Sequence, residues 1–273
     1  MSNDLMIAAP ASKSCHGMQL AYRRQQAAVS NSDKQADEIP HVVFCGGFHS
    51  NMMGTKAAAL AQTCSELGVS YTRFDYRGHG ESEGDPAAFS LADWLDDTLC
   101  VLEDIHAPLI LVGSSMGGWL ASLCAIRKIN QLQGLLLIAA APDFLQELIQ
   151  PRLTPADIWD LQQGQTLALP NAYADPHPLT QTLLESGNAL SVLNPSSAQA
   201  DNQLEKLDCK IRLIHGTNDT DVPYSLSLRL MENCVNADAQ LTLLNGADHR
   251  LSDERSLACI RQNLKELIHS YRT

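Results

Sequence analysis

The sequence is poor in basic residues, and this shortage excludes several classes of partner. Its 273 residues include 19 Lys and Arg against 31 Asp and Glu, so the formal net charge is -12. Such a surface repels phosphate backbones and anionic lipid headgroups. The chain also lacks any run of about 18 apolar residues, the length that a membrane-spanning helix requires. We therefore predict neither a nucleic-acid partner nor a membrane span.

The sequence also lacks cysteines at close spacing and a recognisable targeting signal. The eight cysteines are scattered, and none stands in a C-x-x-C pair or at zinc-ligand spacing from a histidine. They are typical of buried thiols in a reducing compartment. The first 14 residues do not combine a basic start, an apolar stretch and a small-residue cleavage site. These absences predict a cytoplasmic protein without a metal. The acidic charge argues only for solubility and says nothing of oligomeric state, so we take a monomer as the default.

Length and composition fit one folded unit. Hydrophobic residues make up 45% of the chain and charged residues 18%, a usage typical of a globular domain that buries a core. Seven short apolar runs predict strands, at 18–22, 41–44, 69–74, 109–112, 134–138, 211–214 and 240–244. Helical periodicity marks the segments 55–67, 91–105, 117–129, 225–235 and 253–271. This alternation predicts an α/β fold with a mostly parallel central sheet flanked by helices.

The alternation of strands and helices stops between about residues 141 and 206. No convincing strand stands there, and seven prolines interrupt short helical pieces. We predict that residues 141–206 form a helical cap inserted into a core made of residues 1–140 and 207–273. The apolar cap residues, among them Leu145 and Trp159, are compatible with two roles: lining an acyl tunnel, or packing the cap onto the core.

A G-x-S-x-G motif stands where a strand meets a helix. The predicted strand 109–112 runs into Gly113-Ser114-Ser115-Met116-Gly117, and a helical pattern follows. This is the context of a nucleophile elbow, a tight turn that exposes the serine hydroxyl above the sheet. Glycines are needed on both sides because side chains there would clash. The motif in this context predicts Ser115 as a nucleophile.

A serine nucleophile needs a histidine base that a carboxylate holds in one tautomer. His249 follows the predicted strand 240–244, and Asp219 follows the predicted strand 211–214. Both loops leave the carboxyl ends of strands, where open α/β sheets bind ligands, and the order Ser, Asp, His is that of α/β-hydrolases. We predict His249 as general base and Asp219 as the acid, with Asp221 and Asp208 as alternatives for the acid.

The tetrahedral intermediate of acyl transfer also needs hydrogen-bond donors for its oxyanion. The residue after the nucleophile, Met116, supplies one backbone N–H. The second donor is expected from the loop after an earlier strand, where Gly46 and Gly47 let the backbone approach the substrate. We predict the N–H of Phe48, with a neighbouring position as the alternative.

Several stretches carry a resemblance to a known family. The turn 74–82, with the sequence FDYRGHGES, is similar to the turn after the fourth strand of many α/β-hydrolases, where its role is structural. The stretches 47–57, 112–120 and 211–216, together with Asp248-His249-Arg250, resemble the mitochondrial acyl-protein thioesterases of the α/β-hydrolase-domain family, which also hydrolyse acyl glucuronides. This resemblance implies an α/β-hydrolase fold, and it implies a triad carried by Ser115 and the acid and base named above.

Other reactive residues near the predicted site have ordinary structural interpretations. His49, His79 and His215 are more often hydrogen-bonded structural histidines than bases. Cys45, beside the oxyanion loop, is more often a small buried hydrophobe than a reactive thiol, because no basic residue precedes it closely. The order Gly54-Thr55-Lys56 does not fit a phosphate-binding loop, so no nucleotide site is predicted.

These residues together predict a serine hydrolase of carboxylic esters or acyl thioesters. Ser115 attacks the carbonyl, His249 takes the proton and returns it to the leaving group, and water releases the acid. The mechanism needs no cofactor, and the substrate is a small molecule or an acylated protein. Two alternatives stay open: hydrolysis of another acyl bond (amide, peptide or carbon–carbon) by the same triad, and a catalytically silent binding protein that kept the fold.

Overall fold

An eight-stranded sheet forms the centre of the computed structural model, which describes residues 10–27, 39–128, 130–169, 177–195 and 203–272. The strands described are β1 (Ala11–Cys15), β2 (Met18–Gln25), β3 (His41–Cys45), β4 (Ser70–Phe74), β5 (Leu109–Ser114), β6 (Leu132–Ile138), β7 (Leu167–Leu169), β8 (His177–Leu179), β9 (Lys210–Gly216) and β10 (Asp238–Leu244). The α-helices described are α1 (Thr55–Leu67), α2 (Leu91–Glu103), α3 (Met116–Arg127), α4 (Pro155–Gln162), α5 (Gln181–Ala189), α6 (Ser225–Asn233) and α7 (Glu254–Arg272).

The strands of the central sheet follow the order β1-β2-β4-β3-β5-β6-β9-β10. The pairs β1–β2 and β2–β4 are antiparallel, and the five other neighbouring pairs are parallel. Parallel neighbours point their carboxyl ends to the same edge, so the loops after β3, β5, β9 and β10 all open there. The prediction of a mostly parallel sheet flanked by helices is confirmed.

Alternating side chains of the parallel strands fill two apolar layers, one on each face of the sheet. In β5, Leu109 and Leu111 belong to the layer that also holds residues of α2 and α3, whereas Ile110 and Val112 belong to the layer formed with α1 and α7. Strands buried on both faces are apolar throughout, because neither side contacts water. This is why the sequence showed continuous apolar runs at these strands.

The seven predicted strands are all present, but three further strands were missed. β1 lies at the sheet edge, and its sequence ASKSC is mostly exposed, so it shows no apolar pattern. Within the segment 141–206, where we expected no strand, β7 and β8 pair antiparallel. Each of these strands has three residues, and Pro178 lies within β8. Strands this short are held by their surroundings, and the local sequence carries little signal for them.

The predicted helices match the observed ones except at their ends, and position 129 lies outside the described residues. α2 begins with a capping box in which Ser90 and Asp93 each bind the other's backbone N–H. α1 ends at Gly68, whose positive φ of 62° terminates the helix. None of the helices in the described part of the chain has both the length and the apolar character needed to cross a membrane.

A buried carboxylate connects the start of the segment between β6 and β9 to a later part of the same segment. Asp143, just after β6, accepts hydrogen bonds from the Ser191 hydroxyl and from the N–H groups of Val192 and Leu193, at 2.6 to 2.9 Å. In this segment Leu145 is buried, whereas Trp159 is 58% exposed. The first therefore packs the segment onto the core, and the second faces solvent. The division into a core and a cap at 141–206 remains our proposal.

One cysteine prediction is wrong. Cys15 in β1 and Cys100 in α2 form a disulfide across 85 positions of sequence, although we expected every cysteine to be a free thiol. Such a separation carries no signal in the sequence, because the contact arises only when α2 packs beside the edge strand. The six other cysteines are free, and Cys45, Cys64, Cys124 and Cys234 are buried.

The turn 74–82 is tied to its neighbours by buried charges, in agreement with the structural role that the resemblance implies. Asp75 accepts hydrogen bonds from the N–H groups of Met52 and Glu81, at 2.6 and 2.9 Å. Arg77 pairs with Asp97 of α2, with its Nη2 and Nε atoms at 2.6 and 2.8 Å from Asp97 Oδ1. The turn therefore connects α2 with the loop that follows β3.

Replacing Asp97 with alanine should destabilise the protein strongly. The Asp97 side chain is fully buried and that of Arg77 is 7% exposed. The substitution removes the partner of Nε and Nη2 and leaves the longer contact of Nη1 with Asp93 at 3.2 Å. We expect a loss of about 3 kcal/mol, the lower end of the range for a broken buried ion pair. Chemical denaturation monitored by tryptophan fluorescence measures this loss. The exposed neighbour Asp96 is the control, because its replacement with alanine should change the free energy of unfolding by less than about 0.5 kcal/mol. Equal losses in the two variants would contradict the prediction.

Candidate active site

Ser115 lies on a strained turn between β5 and α3. Its φ of 55° is in the left-handed region that residues with a Cβ avoid. The flanking glycines are required by close contacts: a Cβ on Gly117 would lie 2.1 Å from the carbonyl oxygen of Cys45, and one on Gly113 would lie 2.3 Å from that of Gly117. These contacts give the turn the geometry of a nucleophile elbow, as the motif predicts.

The structure brings the three predicted triad residues into one hydrogen-bonded chain. His249 Nε2 lies 3.0 Å from Ser115 Oγ, and His249 Nδ1 lies 2.7 Å from Asp219 Oδ2. Asp219 and His249 stand in loops after β9 and β10, and the Asn218 N–H donates to the Ala247 carbonyl at 3.0 Å between these loops. This arrangement lets His249 take a proton from Ser115 while Asp219 stabilises the resulting imidazolium. The catalytic roles of the three residues remain a prediction.

The carboxylate of Asp219 is buried but fully hydrogen-bonded. Its Oδ1 accepts from the N–H groups of Asp221 and Val222, at 3.0 and 2.8 Å, and its Oδ2 contacts His215 Nε2 at 3.0 Å as well as His249. Burial raises the pKa of Asp219, but the hydrogen bonds from His215 and His249 outweigh burial and hold this pKa well below its ordinary value. Asp219 is therefore charged at neutral pH.

Neither alternative acid occupies the position of Asp219. Asp208 precedes β9 and is exposed, so it lies at the opposite end of the strand from the triad. Asp221 is close, because one oxygen or nitrogen from each of Asp219, Asp221 and His249 falls within 4.8 Å of the others. Among the residues that the structure describes, these three side chains are the one group of His, Cys, Asp and Glu ligands close enough together to hold a metal ion. Asp219 and His249 are already engaged with each other there.

The two predicted oxyanion donors stand beside Ser115. Met116 is the first residue of α3, and the N–H groups of a helix's first turn have no acceptor within the helix. Phe48 lines the same cleft as Ser115, and a Cβ on the preceding Gly47 would lie 3.3 Å from Ser115 Cβ. The backbone at 47–48 therefore comes close to the hydroxyl. Their role as oxyanion donors remains a prediction.

A cleft of about 250 Å³ opens at Ser115 and His249. Apolar residues, among them Phe44, Phe48 and Ala57, form part of its lining. The polar side chains that line it are those of Ser50, Asn51, Thr55, Lys56, Ser114, Arg250 and Ser252. No carboxylate is among the lining residues, although the chain carries a net charge of -12. Burial and the nearby Arg250 lower the pKa of Lys56 to about 8, against the opposing effect of Asp248 and Asp219. The cleft is thus suited to a polar group beside the scissile bond.

His49, His79 and Cys45 are not part of the hydrogen-bonded chain of the triad. His49 and His79 form an aromatic cluster with Phe48, the ring centroids of the two histidines lying 5.3 Å apart. Burial, with the neighbouring His177 as a lesser factor, lowers the pKa of each to about 4, so both are neutral at pH 7. Burial raises the pKa of Cys45 to about 12, which agrees with a small buried hydrophobe. His215 differs from these residues, because it contacts the carboxylate of Asp219. The sequence did not predict this contact.

The fold and the geometry of the nucleophile elbow are typical of α/β-hydrolases, and comparison with known proteins identifies the same class. The family model described as "Alpha/beta hydrolase family" matches residues 42–261. The chain belongs to this family. The predictions of fold and of hydrolase class are thereby confirmed.

Within this family, the chain is similar to particular thioesterases. It is 30% identical over 238 residues to the palmitoyl-protein thioesterase ABHD10, mitochondrial, of Rattus norvegicus, which covers 86% of this chain and 77% of that protein. The structure of mouse alpha/beta hydrolase domain-containing protein 10 matches with a TM-score of 0.80 and 28% identity, covering 96% of this chain and 99% of the other. The crystal structure of a protein from Agrobacterium vitis S4, described as a hydrolase, matches with a TM-score of 0.81 and 32% identity. The match covers 95% of this chain and 98% of the other. The resemblance predicted from the motifs is confirmed.

These comparisons also correct one prediction. The rat relative and those from Bos taurus, Mus musculus, Pongo abelii and Homo sapiens all carry the word mitochondrial in their names. The predicted cytoplasmic location is therefore contradicted. It rested on missing signals in the first residues and on scattered cysteines, and neither observation determines a compartment.

Proposed function

We propose that this protein hydrolyses carboxylic ester or acyl thioester bonds through an acyl-enzyme on Ser115. The observation that carries the proposal is the continuous hydrogen-bonded chain from Ser115 Oγ through the His249 ring to Asp219, with distances of 3.0 and 2.7 Å. A serine hydroxyl in this arrangement loses its proton to the imidazole as it attacks a carbonyl. The names of the thioesterase relatives support the same reaction class.

The reaction proceeds in two steps that use the same base. Ser115 Oγ attacks the carbonyl carbon while His249 Nε2 accepts the hydroxyl proton, and the N–H groups of Phe48 and Met116 hold the oxyanion. The intermediate collapses when the bond to the leaving group breaks and His249 donates its proton to the departing oxygen or sulfur. Water then attacks the acyl-enzyme and gives a proton to His249. The bond between the acyl carbon and Ser115 Oγ breaks, His249 returns the proton to Oγ, and the carboxylic acid is released.

The size and lining of the cleft bear on the substrate. Its volume of about 250 Å³ lies below the roughly 300–1,000 Å³ of pockets that bury a drug-sized ligand. Its hydroxyl, amide and cationic side chains offer hydrogen-bond partners to a polar leaving group. We therefore propose that the substrate is an acylated compound, a small molecule or a protein, whose polar leaving group occupies this cleft.

The test combines active-site labelling with a substrate series. A fluorophosphonate probe should label one serine, and tryptic mass spectrometry should locate the adduct on Ser115. Acyl thioesters and p-nitrophenyl esters from two to sixteen carbons then measure chain preference, and matched anilides measure amide cleavage. We expect esters and thioesters to exceed anilides by at least about 100-fold, because the leaving amine is much the poorer leaving group.

Chain length is the second axis of that series. Because the cleft is small, we expect kcat/KM to be highest for short and medium chains. A maximum at palmitoyl thioesters would contradict the small-cleft argument and favour a depalmitoylase. Labelling at another serine would show that Ser115 is not the nucleophile, and no labelling of folded protein together with no turnover would leave the silent binding protein.

A further inference from the structure

A second histidine contacts the carboxylate of the triad. His215 is the residue before the last of β9, and its side chain is fully buried. Its Nε2 lies 3.0 Å from Asp219 Oδ2, the same oxygen that contacts His249 Nδ1 at 2.7 Å. With the two backbone N–H groups on Oδ1, Asp219 has two hydrogen-bond partners on each oxygen. The carboxylate is thereby fixed in rotation as well as in position.

The partners of His215 assign its tautomer. Nε2 faces two groups that only accept, the Asp219 carboxylate and the Val222 carbonyl at 2.9 Å, so Nε2 carries the hydrogen. Nδ1 lies 2.7 Å from Ser227 Oγ, a buried hydroxyl of α6 that can donate to it. The tautomer with its hydrogen on Nε2 satisfies every one of these contacts. Ser227 therefore holds His215 in the tautomer that donates to Asp219.

We propose that His215 is a positioning residue for the hydrolysis, acting through Asp219, and that Ser227 sets its tautomer. The inference rests on the proposed function, because it concerns the same triad. The N–H of His215 keeps Oδ2 aligned with His249 Nδ1 and takes up part of the carboxylate's charge. Without it, the carboxylate is freer to rotate, and its full charge acts on His249, which then holds a proton to higher pH.

Other charged groups surround the same carboxylate, and they stay constant in the test. Asp221 is within 4.8 Å of Asp219 and His249, measured between side-chain oxygen and nitrogen atoms. Lys56, on α1, interacts electrostatically with Asp219 and donates a hydrogen bond to the Arg250 carbonyl. Substitutions at His215 and Ser227 leave these groups unchanged, so a change in the protonation of His249 reports the lost hydrogen bond.

The experiment compares His215→Leu with His215→Gln. Leucine has a similar volume but no donor, whereas the glutamine amide can donate to Asp219 from about the same position. We expect kcat of the leucine variant to fall by about 10- to 100-fold, the effect of losing a hydrogen bond to a charged group, with KM changed by less than about threefold. The acidic limb of its kcat/KM profile should move to higher pH by about half a unit or more. The glutamine variant should restore both.

An NMR titration gives a readout that does not depend on turnover. The midpoint of the His249 ring signal, followed in a histidine ¹H–¹³C spectrum, should rise in the leucine variant and return towards the original value with glutamine. His269→Leu, at an exposed position of α7, is the control and should change neither the midpoint nor kcat. This titration separates the two proposals, because it tests the coupling of His215 to His249 even if no substrate is hydrolysed.

Several outcomes would overturn the inference. A leucine variant with a lower melting temperature but unchanged midpoint and kcat would show that His215 only packs. A glutamine variant as impaired as leucine would show that the donated hydrogen bond is not what matters. If the leucine variant does not fold, Ser227→Ala decides: it should raise the midpoint and lower kcat by about threefold, since a buried acceptor loses its donor, and no change in either quantity would refute the role of His215.

Discussion

Replacing Ser115 with alanine should lower kcat for ester and thioester hydrolysis by roughly a million-fold, the size of effect seen when a catalytic serine is removed. Alanine retains the Cβ and lacks only the hydroxyl. The substitution therefore removes the oxygen that attacks the carbonyl and leaves the rest of the side chain in place. The remaining activity should reflect the oxyanion donors and substrate binding alone. Initial rates with a short-chain thioester, corrected for contaminating hydrolase by fluorophosphonate treatment, measure the loss.

The fold of this variant should be intact, because Ser115 contributes its hydroxyl to His249 and to no packing layer. Circular dichroism and the melting temperature check this point. Ser122→Ala is the matched control, since it also removes a serine hydroxyl, one in α3, the helix that follows Ser115, where it donates to the Gly118 carbonyl. The control should keep kcat within about threefold, a loss below 1 kcal/mol. Turnover by the alanine variant at Ser115 above one thousandth of the original rate would mean that the nucleophile lies elsewhere.

Replacing Asp219 with asparagine should lower kcat by about 10,000-fold, as in serine proteases in which the acid becomes an amide. The amide can present its NH₂ to His249 Nδ1, which favours the tautomer that cannot take a proton from Ser115. It also removes the negative charge that stabilises the imidazolium. Steady-state kinetics near neutral pH measure the effect, and the fluorophosphonate labelling rate gives an independent value for the nucleophile.

Asp221→Asn is the matched control for that substitution. The hydrogen bond that Asp221 makes to Asp219 Oδ1 is donated by its backbone N–H and survives the change of side chain. We expect kcat within about threefold of the unsubstituted protein, equivalent to less than 1 kcal/mol. A larger loss for Asp221→Asn than for Asp219→Asn would transfer the role of the acid to Asp221 and contradict the geometry described above.

The elements that were predicted correctly are those whose pattern depends on burial alone. The stretches 109–112 of β5 and 134–138 of β6 carry no polar side chain because both faces of the sheet are covered, and such a continuous run is a strong signal. β1, with its polar sequence at the edge, and the three-residue strands β7 and β8 depend on neighbouring strands instead. The disulfide between Cys15 and Cys100 likewise depends on a contact between distant segments.

His215 shows what signal in the candidate site was overlooked. A polar side chain at the end of a strand buried on both faces must find hydrogen-bond partners inside the protein. The strand Lys210–Gly216 is apolar around His215, and Asp219 follows four positions later. Together these facts could have indicated a contact between the two, because a buried imidazole next to a buried carboxylate is seldom left without a partner.

The sequence alone determined the local geometry and the order of the triad. Gly113 and Gly117 are needed wherever Ser115 makes such a turn, and loops after parallel strands must open at one edge of the sheet. Only the tertiary structure decided which of the nearby carboxylates meets His249, and that His215 shares Asp219 with it. The choice between Asp219 and Asp221 depends on distances of a few ångströms, which are fixed by how β9, β10 and α6 pack together and not by any local pattern of residues.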